Sequence, residues 1–373
     1  MPEKSIAYLA TGDEVCNGDI LNSNGQEIAL RLIANGLPIG MHMAVADHLE
    51  YMIAAMDFLR THHRALIITG GLGPTSDDLT RDAVSRLLNR PLVFDAPTWD
   101  AIVERLKKFG YNTPPESNRQ QAFFPEGAII IPNPNGTASG FCIETDSYSI
   151  FALPGPPIEC LPMVDLAVLP RLSTYLWPTP LLCEKWLCFG VGEAQIAEAM
   201  DAITTPFRCN TGYRYWYPYI EVKIYSRYQT DIDALRPLIE KTVAPYIIGD
   251  GKVTASTLLK KSLRTLKTPI VFCDHATGGL LEATLRSPET SPYLRFISDV
   301  EEIPLAHTAI VVVISGLEEL WQQTPRATHT NLTIRFFSNN KETTHSQQIV
   351  LRGDRVKLYA VEWVSKEVYR LIS

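Results

Sequence analysis

The chain has 373 residues, of which 34 are Lys or Arg and 41 are Asp or Glu, giving a net charge of −7. At ~150 residues per domain that length holds two or three domains with cores large enough to need no staples. An apolar fraction of 46% with 20% charged residues excludes a disordered chain, and the acidic balance argues against broad binding to a nucleic-acid backbone.

Ser5 to Ala10 reads as a short apolar strand ending at Thr11-Gly12-Asp13-Glu14. A helix follows, with Ile28 and Leu32 on one face, Ala29 and Ile33 beside them, and Gly36 as its C-cap. Leu37 to Ala46 predicts a strand ending at Asp47, and Leu49, Met52, Ile53, Met56 and Leu59 have helical spacing. Ala65 to Ile68 is continuously apolar, as a strand buried on both faces of a parallel sheet would be. It runs into Gly70-Gly71-Leu72-Gly73-Pro74-Thr75, after which Leu79, Ala83 and Leu87 mark another helix. This alternation predicts a doubly wound α/β unit.

Trp99 to Phe109 continues as helix, Asn112 to Arg119 is a Pro- and Asn-rich loop, and Ala128 to Ile131 is a strand. Phe141–Ile143 and Tyr148–Leu153 form a hairpin around Thr145-Asp146-Ser147, and Pro154-Gly155-Pro156-Pro157 opens a helix. Trp177-Pro178-Thr179-Pro180 reads as a domain boundary and Gly249 to Gly251 as a second linker. Between them lies a small α+β domain with helices at Glu193–Ile203 and Ile232–Val243. Tyr213 to Tyr225 reads there as one alternating strand, with Tyr213, Tyr215, Tyr217 and Tyr219 on one face and Trp216, Ile220, Val222 and Ile224 on the other. The tyrosine face is expected to pack on a neighbour or a subunit interface rather than to stack bases. The remainder reads as a third α/β domain. The expected organisation is 1–175, 176–250 and 251–373.

No apolar run approaches the ~18 residues of a membrane span, and Met1 to Asp13 has no secretory signal pattern. The seven cysteines are odd in number and include no Cys-x-x-Cys, so reduced thiols in a cytoplasm are expected. Cys273 and His275 lie two residues apart and are not expected to face each other as a catalytic pair. His62 and His63 are expected to diverge at a helix end, on the surface.

The strongest local signal is Ile67 to Thr80, a glycine-rich turn between strand and helix. Glycines let a backbone approach a ligand, and the N–H groups at the next helix start can hold phosphate. The pattern is neither a dinucleotide fingerprint nor a Walker loop. Its plain alternative is a tight turn with Thr75 or Ser76 as N-cap and Asp77 and Asp78 favouring the helix dipole. If the two acids sit beside a phosphate, a divalent metal must bridge carboxylate and phosphate.

This segment resembles the signature of the CinA family (competence/damage-inducible protein), whose N-terminal domain is similar to molybdopterin-binding domains. Thr11-Gly12-Asp13-Glu14 with Gly18, then Asn24, Asp47, Asn118 with Gln121-Ala122, Asn135 to Phe141, and Leu153 to Glu159 agree in order. The family usually has Pro where Ser139 stands. Gly190-Val191-Gly192-Glu193 and Ile196-Ala197-Glu198 resemble its middle domain. The resemblance is strong over about the first 250 residues. It implies a metal-dependent pyrophosphatase cleaving ADP-ribose to AMP and ribose 5-phosphate. By matching motifs, Gly70, Gly71, Gly73, Pro74 and Thr75 would hold phosphate, and Asp47, Asp77 and Asp78 are the metal or base candidates, with Asp47 and Asp78 as metal ligands. Gly12, Asp13, Glu14, Asn118, Gly155 and Glu159 are further substrate-binding candidates, with a turn, a cap or packing as their plain alternative. The implied cofactor is a divalent cation, and the implied partner a nucleotide-type small molecule. A homodimer is expected, with no nucleic-acid or membrane partner.

In this family the C-terminal part resembles a nicotinamide-mononucleotide deamidase, of pyridine-nucleotide metabolism. Of its opening Glu-Ser-Cys-Thr-Gly-Gly, only Thr277-Gly278-Gly279 survives in Asp274 to Gly279. Ser291 matches the family serine, yet no lysine occurs between Lys267 and Lys341, and a serine without an activating base is a weak nucleophile. The family's Thr-Gly-Ile-Ala-Gly-Pro is reduced to Ile314-Ser315-Gly316-Leu317. The domain is therefore expected to keep its α/β fold without deamidase chemistry. Two alternatives stand beside the hydrolase reading: a molybdopterin-type nucleotidyl transferase, and a non-catalytic nucleotide-binding or scaffold protein.

Overall fold

The computed structural model describes residues 5–37, 39–111, 113–176, 181–266, 269–298, 310–321, 328–338, 341–350 and 353–372. The expected boundary at Trp177–Pro180 lies outside the described residues. The chain divides into two compact units, Met1–Leu181 and Leu182–Ser373.

The first unit runs β1 (Ile6–Thr11), α1 (Asp13–Cys16), α2 (Ser23–Ala34), β2 (Ile39–Val45), α3 (Leu49–His62), β3 (Ala65–Thr69), α4 (Thr80–Leu88), β4 (Leu92–Phe94), α5 (Ala96–Lys108), β5 (Phe123–Pro125), β6 (Ile129–Ile131), β7 (Gly140–Glu144), β8 (Ser149–Leu153), α6 (Pro157–Met163) and α7 (Leu169–Leu176). Its sheet has the order β2-β1-β3-β8-β7-β6. The pairs β1·β2, β1·β3 and β3·β8 are parallel, and β7 pairs antiparallel with β8 and β6. Every residue of β1 and β3 is buried, because helices cover both faces. Ile28, Leu32 and Met163 pack on Ile6, Tyr8 and Ile67 from one side. Met52, Met56, Leu59 and Val84 pack on Ala7, Leu9 and Ile68 from the other.

Local chemistry sets the ends of these elements. Helix α2 is capped by the Asn22 side chain, which accepts from the Gly25 N–H at 3.1 Å. It ends where Gly36 takes φ 72°, with Gly36 N–H donating to Ile33 O and Leu37 N–H to Leu32 O. The expected loop around Arg119 is a 3₁₀ turn over Glu116–Ala122. The N-cap of α4 is Leu79 rather than Thr75 or Ser76, and it makes no side-chain cap bond. The glycine-rich segment is thus a long loop held by other contacts. At the end of α3 the two histidines diverge as expected, but His63 is buried, its Nδ1 3.0 Å from the Leu59 carbonyl.

The second unit runs β9 (Leu182–Phe189), α8 (Glu193–Thr204), β10 (Asn210–Trp216), β11 (Tyr219–Ser226), α9 (Gln229–Val243), α10 (Ala255–Leu263), β12 (Ile270–Asp274), α11 (Leu280–Leu285), β13 (Leu294–Ile297), β14 (Ile310–Gly316), β15 (His329–Ser338), β16 (Lys341–Val350) and α12 (Val356–Ile372). A three-stranded antiparallel sheet has the order β10-β11-β9, and a five-stranded mixed sheet the order β13-β12-β14-β15-β16. Gly249–Gly251 falls within this unit, where the Gly251 carbonyl accepts from Leu187 N–H.

The single strand expected from Tyr213 to Tyr225 is two strands. The chain reverses at Tyr217-Pro218, and Tyr215 pairs with Ile220 and Trp216 with Tyr219. Paired residues share a face, so Tyr219 leaves the face of Tyr213 and Tyr215 and is buried beside Phe189. A proline within an alternating run is the signal that this is a turn. Among the described residues no helix is long and apolar enough to cross a membrane.

Candidate functional site

Four parallel strands end on one edge of the first sheet, and the chain leaving each one contributes to one cavity. Thr11 ends β1 and Gly12 and Glu14 follow it, Asp47 follows β2, Gly70 to Pro74 with Asp77 and Asp78 follow β3, and Pro154 to Pro156 with Glu159 follow β8. Open parallel sheets place their sites on this edge, because the strand-to-helix loops diverge there. The cavity measures ≈ 330 Å³, and Gln121, Thr137 and Ala138 complete its lining.

The loop after β3 requires its glycines. Gly70 has φ 105° and Gly71 φ 64°. A Cβ on Gly70 would collide with the Thr11 carbonyl, and one on Gly71 with the Thr80 hydroxyl. That hydroxyl donates to the Gly70 carbonyl at 2.8 Å. Asp78 folds back as a clamp: Oδ1 accepts from Gly73 N–H at 2.7 Å, and Oδ2 accepts from Thr75 N–H at 2.8 Å and the Thr75 hydroxyl at 2.6 Å. From beneath, Arg81 donates to the Leu72 carbonyl at 2.8 Å and the Gly73 carbonyl at 2.7 Å. Arg81 is 3% exposed, and burial lowers its pKa to about 10 against the pull of Asp78 and Asp82. Gln120 donates to Gly73 O at 3.2 Å and Thr75 O at 2.7 Å.

Asp13 and Asp47 are locked reciprocally. Asp47 Oδ2 accepts from Asp13 N–H, and Asp13 Oδ1 from Asp47 N–H, both at 3.1 Å. Burial raises the Asp47 pKa, the Asp13 N–H opposes, and the Asp13, Glu14 and Asp77 carboxylates raise it further. On the far wall Asn133 donates to Glu159 at 2.6 Å. Asn24 holds the Gly155 carbonyl at 2.6 Å.

Of the residues singled out from sequence, Gly12, Glu14, Asp47, Gly70, Gly71, Gly73, Pro74, Asp77, Asp78, Gly155 and Glu159 line one cavity. Asp13, Thr75 and Asn118 are not among its lining residues. Asn118 is buried and donates at 2.9 Å to Gln121, which does line the wall. Sequence reasoning missed Arg81, Gln120 and Asn133. The first two act through backbone carbonyls, which leaves no motif.

Among the described residues no three His, Cys, Asp or Glu side chains form a preformed metal group. Glu14, Asp47, Asp77, Asp78 and Glu159 nevertheless give the lining five carboxylates, and none of the described lining residues is Lys or Arg. A hard cation that takes one or two carboxylates and fills its shell with phosphate and water fits this donor set. Asp78, named from sequence as a metal ligand, has both carboxylate oxygens engaged by Gly73 and Thr75.

In the second unit, Asp274 accepts from Ala276 N–H at 3.0 Å, Thr277 N–H at 2.9 Å and the Thr277 hydroxyl. Ser291 donates to the Ser287 carbonyl at 2.8 Å. Contrary to expectation, Cys273 and His275 do meet, Sγ to Nε2 at 3.0 Å. The strand ends at Asp274, and the turn brings the ring back over the thiol.

A cavity at the strand ends of a largely parallel sheet marks the first unit as an open α/β domain. Residues 7–174 match the family described as "Probable molybdopterin binding domain". The chain is 32% identical over 284 residues to a CinA-like protein of Shewanella woodyi, covering 75% of this chain and 67% of the relative. It is 31% identical over 308 residues to a CinA-like protein of Escherichia coli O9:H4, covering 82% and 76%. A crystal structure of the protein CinA, of unknown function, from Thermoplasma acidophilum aligns with a TM-score of 0.41 and 24% identity, over 47% of this chain and 99% of that one. The chain belongs to the CinA-like protein family.

Proposed function

We propose that the first unit hydrolyses a nucleoside diphosphate sugar of the ADP-ribose class with a divalent cation, and that the deamidase-like site is inactive. The observation that carries this reading is the glycine-rich loop, clamped by Asp78 and Arg81 and facing a wall of carboxylates. A diphosphate binds such a wall only with a cation between them. When bound, the cation neutralises the diphosphate and polarises its phosphoryl oxygens. Asp47 and Asp77 would hold it, and Gly70 to Gly73 would cradle the anion. Asp78, Arg81 and Gln120 keep that cradle in shape. Water attacks one phosphorus and the bridging P–O bond breaks. The water's proton passes to a wall carboxylate, and the products are AMP and ribose 5-phosphate. The chain acts as a homodimer, which light scattering would measure.

The inactive deamidase reading rests on residue chemistry. Among the described residues no imidazole, amine or carboxylate accepts from Ser291, whose hydroxyl is spent on a backbone carbonyl.

The test is product analysis with ADP-ribose, with and without Mg²⁺ or Mn²⁺ and beside Asp47→Asn. The reading requires AMP release that a chelator abolishes and the substitution lowers about 100-fold or more. No AMP with any metal sinks it. The match to a molybdopterin-binding family favours nucleotidyl transfer as the second reading. That reaction consumes a nucleoside triphosphate and needs a pterin acceptor.

A further inference from the structure

The second unit holds a cleft of ≈ 450 Å³ that the hydrolase reading does not use. It is lined by Tyr215 and Tyr217 of the β10–β11 hairpin, Glu193 at the start of α8, Gln347 and Gln348 of β16, and Tyr359 of α12. The volume is that of a small-molecule site. Its floor is rigid: Gln347 donates to the Tyr359 hydroxyl at 2.9 Å, and the Tyr359 ring stacks on Phe189 at 4.7 Å and 28°. The rings of Tyr215 and Tyr217 stand 6.1 Å apart and are tilted by 53°, so a flat ligand stacks on one of them, and Tyr215 is 50% exposed on an edge strand.

These groups select a ligand by chemistry. Tyrosine faces take a flat π-system. Primary amides carry donors and an acceptor in one plane, matching the edge of a heterocycle. Glu193 is the only charged residue among the described lining residues, so a phosphate on the ligand meets repulsion. We propose that this cleft binds the heteroaromatic base of a neutral nucleoside, stacked on the exposed Tyr215 ring and read at its edge by the Gln348 amide. Tyr215, read from sequence as part of a packed strand face, is thereby the stacking surface.

Equilibrium dialysis of the full chain with adenosine, guanosine, cytidine and uridine tests this. At least one nucleoside should bind saturably. Tyr215→Ala should weaken it about 10-fold or more, whereas Tyr215→Phe, which keeps the ring, should stay within about twofold. The 5′-monophosphate of the same base should bind more weakly, and Glu193→Gln should narrow that gap. Circular dichroism checks that Tyr215→Ala folds. If it does not, Gln348→Ala, at an exposed edge position, carries the same comparison. Absence of saturable binding for all four nucleosides overturns the proposal, as does binding that neither Tyr215→Ala nor Gln348→Ala changes. A change in oligomeric state on Tyr215→Ala without nucleoside binding assigns the rings to a second copy of the chain and also overturns it.

Discussion

At the residue scale, Arg81 shows how a site depends on a side chain that does not line it. Its guanidinium holds the Leu72 and Gly73 carbonyls from below, so removing it leaves them only the longer bonds from Gln121 at 3.5 Å and Gln120 at 3.2 Å. Arg81→Leu should cost about 2–3 kcal/mol in urea unfolding. Arg81→Lys should recover only part of this, because an ammonium cannot span two carbonyls as a planar fork does. Asp78→Ala frees the Gly73 and Thr75 N–H groups and should raise the KM for a diphosphate substrate more than it lowers kcat. Asp47→Asn, in the wall, should act mainly on kcat. Steady-state kinetics of the two variants separates cradle from wall. The glycines and acids of this site were legible in the sequence because they directly follow apolar strands. Arg81 and Gln120 were not, because their partners are main-chain carbonyls brought near only by the fold.

At the scale of elements, β9 is tied to its neighbours through Glu184, which accepts from Lys252 at 2.9 Å and from Arg236 of α9 at 3.0 Å. The Lys252 hydrogen bond holds its pKa below the usual range, burial opposes, and Arg236 adds to the lowering. A carboxylate lowered in the folded state stabilises the fold above its unfolded pKa and loses that contribution as pH falls through the folded value. Glu184→Gln should therefore cost about 1 kcal/mol at pH 7, and the difference from the parent should shrink towards zero in acid. Thermal melts at neutral and acid pH check this. In β3, Ile67 is fully buried against both neighbouring strands and the helices over them, so Ile67→Ala should cost about 2–5 kcal/mol. The strands β1 and β3 were legible from continuous apolar runs. The β10–β11 hairpin was not, because alternation persists in sequence across Pro218 while the chain reverses, which moves Tyr219 to the opposite face.

At the scale of the molecule, each unit closes its own cores. The clusters around Ile67 and Leu66 draw only on the first unit, and those around Phe272 and Val222 only on the second. Residues 1–181 expressed alone should therefore unfold cooperatively in urea, a loss of cooperativity being the contrary result. The full chain should release no ammonia from nicotinamide mononucleotide, and ammonia would show that a residue other than lysine activates the serine.

The sequence by itself determined the alternation of strands and helices, the glycine-rich loop and the family, because each is written in contiguous residues: apolar runs, turn chemistry and motif order. Only the tertiary structure decided which of these residues meet. Parallel pairing of β1, β2, β3 and β8 brings Glu14, Asp47, Asp78 and Glu159 to one sheet edge from positions far apart in the chain. The turn after Asp274 sets Cys273 against His275, and the reversal at Pro218 places Tyr215 beside β16 in a cleft. Contacts of that kind depend on where backbone paths converge, and convergence is a property of packing that local residue pattern does not carry.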